Sequence, residues 1–423
     1  MAAPSPAPSP RPPRASTIPP AGTRVDRLRL LGVQGSSKVM AGELSRLAGR
    51  ALEGDALARF RAATPAKLGA GGLAYPFDAE LATIALLYHR TSARVLWDLY
   101  ESDATRLEPL YENLVEAVAA DDRPWLWDGA RISVLTFAPR SVAAGERQVV
   151  GTVKNAIVDG AARRGWTLTV SPDRPDLTIH ARSHVDPKGT PQLTISVDLA
   201  GRPKHERGYR TRAGQAPLRE DVAAYLVMLT RHDARREALI DPCAGSGTLA
   251  VEAASMARAR VAWYSGRRVA AERLPALASH FQAPRRPLFG DTRPLVYANE
   301  LDPEVCRLLE RSVETAGVGP DVRISCGDFR EIDPRELRRQ AEAAGLSGGV
   351  VLCNPPWGER MGGDRSVAQL YRDLSRWCRE LPGWRAGFLV AHPEFARWFG
   401  ARPRSTRPVM SGPLRATFYT FDL

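Results

Sequence analysis

Ala238-Leu239-Ile240-Asp241-Pro242-Cys243-Ala244-Gly245-Ser246-Gly247-Thr248 carries a short apolar run into a glycine turn, and Leu249-Ala250-Val251-Glu252-Ala253-Ala254 continues it with the composition of a helix. Strand, glycine turn and helix in that order form the nucleotide-cofactor crevice of a doubly wound α/β sheet. The glycines let backbone approach a ligand, and the helix N-terminus favours its negative groups. Gly245-x-Gly247-x-x-Ala250 also fits a dinucleotide fingerprint, a weak signal by itself. Spacing tells against a dinucleotide. The ribose-binding acid belongs about 20 residues on, whereas the next strand-like run, Pro294–Ala298, reaches its acid only at Glu300, after a long basic insert.

Two further strand-like runs follow. Val322–Cys326 ends in Gly327-Asp328-Phe329, and Gly349–Cys353 ends in Asn354-Pro355-Pro356-Trp357. Glu300 is placed to hold ribose hydroxyls, and Asp328 to take an adenine amine with Phe329 beside the ring. The Asn-Pro-Pro-Trp stretch suits a planar amine. The asparagine oxygen and a proline carbonyl can each accept a hydrogen bond from an exocyclic NH2, and the prolines fix φ near −65°. The indole offers a face for a base, worth about 1–3 kcal/mol. Taken singly, each stretch has an ordinary alternative: a glycine turn, a solvated acidic turn, a surface Asp-Phe, a strand-ending Pro-Pro turn. Their order after four successive strand-like runs carries the reading.

On Asp241–Ala254, Asn299–Pro303, Asn354–Gly358 with Glu359-Arg360, and the connecting segment Arg207-Gly208-Tyr209-Arg210, the chain resembles the THUMP-containing class I RNA methyltransferases that make N2-methylguanosine. The resemblance implies a Rossmann-like, seven-stranded class I methyltransferase domain preceded by an α+β, ferredoxin-like and THUMP region. It implies S-adenosylmethionine as methyl donor and a guanine exocyclic amine as acceptor, most often in 23S rRNA (the RlmL type) and in a sister branch in the tRNA acceptor stem. Asp241, Pro242, Gly245, Gly247, Thr248, Glu300, Leu301, Asp328, Phe329 and Asn354 are then expected around the cofactor. Asn354, Pro355 and Trp357 are expected at the reacting amine. Trp357 stands where tyrosine or phenylalanine is commoner, and the chain ends at Leu423 without the second methyltransferase domain fused on in some RlmL-type proteins. Val153–Gly160 is similar to the helix of a THUMP domain, and the stretch from Asp198 to Glu220 to a lid over the donor.

At 423 residues and 44% hydrophobic content, two or three packed domains are expected. Residues 1–25, rich in Pro, Ala and Ser, are expected to form a disordered tail. Residues 26–100 suggest an α+β unit, 101–200 the THUMP unit and 201–423 the catalytic domain. Helices are expected over Gly42–Phe60, Ala79–Tyr88, Leu107–Ala120, Glu146–Gly165 and Arg219–Thr230. Strands are expected over Ala93–Leu99, Arg131–Phe137, Trp166–Val170, Leu177–Ala181 and Leu193–Leu199. The runs Gly383–Val390 and Arg415–Phe421 look like the last strands of the catalytic sheet. No apolar run approaches the 18 residues of a transmembrane helix.

The net charge of +12 points to an acidic partner. Residues 101–200 hold 11 Lys+Arg against 14 Asp+Glu, while residues 201–290 hold 16 against 8, so the basic surplus sits at the start of the catalytic domain. Arg207, Arg210, Arg267, Arg268, Lys154 and Arg360 are the candidates to face RNA, although Arg207 and Arg210 could instead brace the domain interface. Five scattered cysteines lack CxxC spacing and read as reduced cytosolic thiols, with neither a disulfide framework nor a zinc site. No metal is expected, and the location expected is cytoplasmic. Three rivals remain: an adenine-N6 DNA methyltransferase, a protein-glutamine methyltransferase, and a non-catalytic ribosome-assembly or RNA-binding factor.

Overall fold

The computed structural model describes residues 23–137, 144–185, 189–210, 218–263, 268–282, 286–357, 364–411 and 414–423. The N-terminal half contains β1 (Thr23–Gly32), α1 (Ser37–Ala51), α2 (Gly54–Ala62), β2 (Ala66–Leu68), β3 (Gly72–Pro76), α3 (Ala79–Leu87) and β4 (Ser92–Asp103). It continues with α4 (Leu107–Ala119), β5 (Arg131–Phe137), α5 (Glu146–Ala162), β6 (Thr169–Val170), β7 (Leu177–Val185) and β8 (Pro191–Asp198). All eight strands share one sheet in the order β2-β3-β1-β4-β8-β7-β5-β6. β4 pairs antiparallel with both β1 and β8, so strands from residues 26–100 and 101–200 meet at its centre.

Strand alternation sets the two faces of this sheet. Leu28, Leu30, Trp97, Ile179, Ile195 and Val197 pack with the apolar stripes of the helices: Leu44 and Leu47 of α1, Leu110 and Leu114 of α4, Val149, Val153 and Ile157 of α5. The other face is polar and only partly paired within the chain, with His180 and Arg182 keeping buried ring and guanidinium nitrogens without hydrogen-bond partners among the described residues. Asp98 accepts from Arg29 Nε at 2.8 Å and from Ser196 Oγ at 2.8 Å. Two expected elements differ from the structure. The helix expected over Gly42–Phe60 is two helices, because Leu52 is extended and Gly54 starts α2 at φ +50°. The strand expected over Trp166–Val170 shrinks to Thr169–Val170, the only two residues there that pair with β5.

The C-terminal half contains α6 (Glu220–Leu229), β9 (Glu237–Asp241), α7 (Thr248–Ala257), β10 (Val296–Glu300), α8 (Pro303–Thr315), β11 (Val322–Cys326) and α9 (Pro334–Ala343). It closes with β12 (Gly348–Cys353), α10 (Asp364–Cys378), β13 (Arg385–Val390), α11 (Phe395–Phe399), β14 (Ser405–Ser411) and β15 (Leu414–Asp422). The seven strands run β11-β10-β9-β12-β13-β15-β14, parallel from β11 to β13, with β15 antiparallel to both its neighbours. Leu239, Val350 and Leu352 pack on one face, and Ile240, Val351 and Phe388 on the other. Burial on both faces explains why these strands read as unbroken apolar runs. Strand order reverses between β9 and β12, which opens a crevice at their C-terminal ends.

A buried polar hub joins the halves. Glu252 of α7 accepts from Arg90 Nη1 at 2.9 Å, from Arg207 Nε at 3.3 Å and from the Tyr209 hydroxyl at 3.3 Å. Arg207 also donates to the carbonyls of Lys204 and Arg90, at 2.7 and 2.6 Å. Lys204 donates to the carbonyls of Ala85 and Leu86, at 2.6 and 2.8 Å. Arg90, Lys204, Arg207 and Glu252 are all fully buried.

Candidate cofactor and amine site

The crevice brings the four sequence stretches together. The loop after β9 turns through Gly245 (φ +56°) and Gly247 (φ +85°). Left-handed backbone there suits glycine, and a Cβ on Gly247 would strike Leu309 of α8. Gly245 N donates to Glu300 Oε2 at 2.8 Å, and Asp302 N donates to Oε1 at 3.0 Å. Glu300 thus fixes the glycine loop and its own turn, leaving lone pairs for ribose hydroxyls. Thr248 is buried at the first position of α7.

Asn299, whose role the sequence reading did not single out, staples the loops that follow β9 and β11. Its Nδ2 donates to the carbonyls of Pro242 (3.2 Å) and Gly327 (2.9 Å), and its Oδ1 accepts from Ser325 Oγ at 2.9 Å. Its position one residue before the β10 acid was the available signal.

At the adenine end the expectations divide. Leu301 is 64% exposed and offers an apolar wall. Asp328 accepts from Arg330 N and Nε, both at 2.9 Å, and this pairing holds its carboxyl below the usual carboxylate range. Phe329 is 5% exposed and packs edge-on against Trp377, centroids 6.3 Å apart, so most of its ring lies in the core beneath the crevice.

Asp241 lies at the floor of the crevice, its Oδ1 accepting from Cys243 N at 3.2 Å. Burial, reinforced by the Glu300 charge, lifts its carboxyl to about 8. A carboxyl raised on folding supports stability fully below its unfolded value and loses that support as pH climbs through its folded one. Denaturant stability is therefore expected to fall between about pH 4 and pH 8, and Asp241→Asn to flatten that fall. Parallel pH profiles for the two proteins would show that Asp241 titrates normally.

On the other side of the switch point, β12 ends in the Asn354-Pro355-Pro356-Trp357 stretch expected at the reacting amine. Asn354 Oδ1 is shielded from solvent and has no hydrogen-bond partner among the described residues. A buried acceptor left unpaired costs about 1–3 kcal/mol. Trp357 is half-buried, its Nε1 donating to the Leu389 carbonyl at 3.1 Å. The Tyr371 hydroxyl donates to the Pro356 carbonyl at 3.0 Å. Tyr371 is a second residue the sequence reading missed. It lies in an amphipathic helix that looks structural, and only the fold shows it buttressing that stretch.

The RNA-facing candidates scatter. Arg207 is fully buried on Glu252 and bonds the Arg90 carbonyl, so it braces the contact between halves. Arg210 is largely buried on Glu220 at 2.7 Å and on the Leu218 carbonyl, so it braces the connecting segment locally; neither presents a surface to RNA. Arg268 is exposed beside Glu272, and Lys154 is half-buried on α5. Arg267 and Arg360 lie outside the described residues.

The cysteine reading also changes. Cys306 and Cys326 form a disulfide, while Cys243, Cys353 and Cys378 are free. Among the described residues, one group of three metal-capable side chains converges, Cys306, Glu310 and Cys326. The disulfide occupies both of its soft donors. No helix among the described residues is long and apolar enough to cross a membrane.

Comparison with known proteins agrees with this geometry. Ribosomal RNA large subunit methyltransferase K/L of Pseudomonas paraeruginosa is 33% identical over 377 residues, covering 86% of this chain and 49% of that protein. The chain thus spans about half the length of the curated relatives it matches. Two solved structures share the fold across nearly the whole chain. A possible methylase from Clostridium difficile 630 aligns with TM-score 0.72 at 23% identity, covering 94% of this chain and 98% of the other. A protein described as a "predicted N6-adenine-specific DNA methylase" from Listeria monocytogenes aligns with TM-score 0.73 at 22% identity, covering 94% and 96%. Residues 207–419 match the family described as RMKL-like, methyltransferase domain, and the chain belongs to that family.

Proposed function

We propose that this protein transfers the methyl group of S-adenosylmethionine to the exocyclic N2 of a guanosine in 23S rRNA. One observation carries the reading: Asn354 Oδ1, buried and without a partner among the described residues, stands across the strand-order switch point from the Gly245–Gly247 loop. Family membership and the naming of the Pseudomonas relative support it.

S-adenosylmethionine, when bound, supplies a sulfonium methyl. Glu300 would receive its ribose hydroxyls, Leu301 and Asp328 would contact its adenine, and the loop from Asp241 through Thr248 would lie along its amino-acid end. Guanine N2 is a poor nucleophile because its lone pair is delocalised into the ring. Asn354 Oδ1 and the Pro355 carbonyl bind its two hydrogens and aim the lone pair at the methyl, an effect of positioning and of hydrogen bonds that strengthen as nitrogen becomes tetrahedral. Trp357 stacks the base once it leaves its helix, offsetting part of the few kcal/mol that flipping costs. No general base is required, because the proton can leave after transfer.

Residues 26–100 and 101–200 act together as the RNA-docking half, the latter as the THUMP unit. Arg268, with Arg267 and Arg360, and Lys154 more weakly, supply phosphate contacts. The enzyme works in the cytoplasm and needs no metal. The test is transfer of labelled methyl from S-adenosylmethionine to total RNA from a strain lacking this protein, followed by size separation and nucleoside analysis. N2-methylguanosine in 23S rRNA is the expected result. The same nucleoside in tRNA would move the enzyme to the sister branch. Label in neither RNA, with the donor bound, would sink RNA methylation and favour a non-catalytic role.

A further inference from the structure

The Cys306–Cys326 bond lies at the adenosine end of the proposed cofactor site. Cys306 stands in the early turns of α8, just after Glu300-Leu301-Asp302, and its backbone N–H donates to the Asp302 carbonyl at 2.8 Å. Cys326 ends β11 directly before Gly327-Asp328, is paired in register with Glu300, and the next N–H, Gly327, donates to the Glu300 carbonyl at 2.9 Å. The disulfide, with Cα atoms 6.1 Å apart, therefore ties the segment carrying the ribose acid to the loop carrying the adenine acid. Cys306 is 1% exposed and Cys326 is exposed, so one sulfur is open to a small thiol while the other is sheltered.

We propose that this pair is a thiol–disulfide switch that sets the affinity of the site for the adenosine part of its cofactor. The inference rests on the cofactor reading above. A disulfide in a cytoplasmic protein is more often a redox-sensing bond than a structural staple. Reduction begins when a small thiolate attacks the exposed Cys326 sulfur, breaking the S–S bond and releasing Cys306 as a thiolate that takes a proton. A second small thiol then displaces the first from Cys326, and the two leave as a small-molecule disulfide. Two electrons pass to the protein and two protons complete its thiols. Oxidation by a low-molecular-weight disulfide reverses each step. Closed, the bond holds the Glu300 turn and the Asp328 loop in mutual register before ligand arrives, which lowers the ordering cost of binding. Open, that cost returns.

The test uses the whole protein and S-adenosylhomocysteine as probe, with calorimetry on the oxidised and reduced forms and on Cys326→Ser. Oxidised protein is expected to bind about fivefold or more tightly than either thiol form. By reciprocity the probe must protect the disulfide by the same factor, read by mass spectrometry as the thiol fraction in glutathione buffers with and without it. Equal affinities in all three forms, or a thiol fraction indifferent to the probe, would overturn the switch while leaving the cofactor reading intact. No probe binding in any form would instead sink the cofactor reading.

Discussion

Asn354→Ala is expected to lower single-turnover methyl transfer about 10²–10³-fold, the loss that follows removal of one preorganised polar group, with the fold nearly unchanged. The side-chain oxygen has no partner among the described residues, so its deletion breaks none of their bonds, and a stability effect should be small. It also removes the acceptor that would orient one amine hydrogen. The remaining carbonyl, at Pro355, would then hold the amine by one bond, and rotation would point its lone pair away from the methyl. Water admitted to the space could accept a hydrogen bond but would not fix its direction. Because positioning and not proton removal limits the rate, the variant should keep the parent's pH–rate shape at a lower level. Near-full rate in a folded variant would refute the clamp.

The catalytic sheet was legible because its chemistry sits where its strands stop. β9, β10 and β12 bury both faces, so each appears as an apolar run, while β11 at the sheet edge buries only Val322 fully. Each of the four ends in a residue that a strand interior does not favour: a glycine turn, an acid, a Gly-Asp, an Asn-Pro. Local pattern and function coincide there. Contacts between distant segments do not announce themselves this way. Arg207 looks like a solvated linker cation until Glu252, 45 residues later on a largely apolar helix, is folded against it. Phe329 shares its sequence context with a surface aromatic, and only Trp377 on α10 makes it core.

The disulfide has a subtler cause. In a β-α-β crossover the start of the helix and the end of the next strand both lie at the C-terminal edge of the sheet. Cys306 and Cys326 occupy those two places in β10-α8-β11, a proximity that linear spacing hides but topology implies. The break between α1 and α2 is illegible for the opposite reason. Leu44, Leu47 and Leu52 keep a helical period up to the interruption, and the backbone reversal rests on residues 52–54 alone.

Glu252→Ala should be the most destabilising substitution in the hub, costing about 3–5 kcal/mol, the range for removing one partner of a buried ion pair. Glu252 faces two guanidinium groups, on Arg90 and Arg207, all three fully buried. Without it, two cations remain in a low-dielectric interior without the carboxylate they share, and neither can shed its proton. Because Arg90 comes from the N-terminal half and Arg207 from the connection, the cost falls on the contact between halves as well as on α7. Scanning calorimetry should show the melting transition lowered by roughly 10 °C. Replacing all three together, Arg90→Met, Glu252→Leu and Arg207→Met, should recover most of that loss, since well-packed apolar groups often match a buried charge cluster in stability. The comparison separates the two meanings of the hub. A single variant that melts within about 2 °C of the parent would mean that water reaches the arginines and that the halves are held by apolar packing. A large single loss with recovery in the triple would mean that Glu252 is needed chiefly because the arginines are there. If the recovered triple variant methylates RNA poorly, the charges serve to set the angle between the RNA-docking half and the crevice.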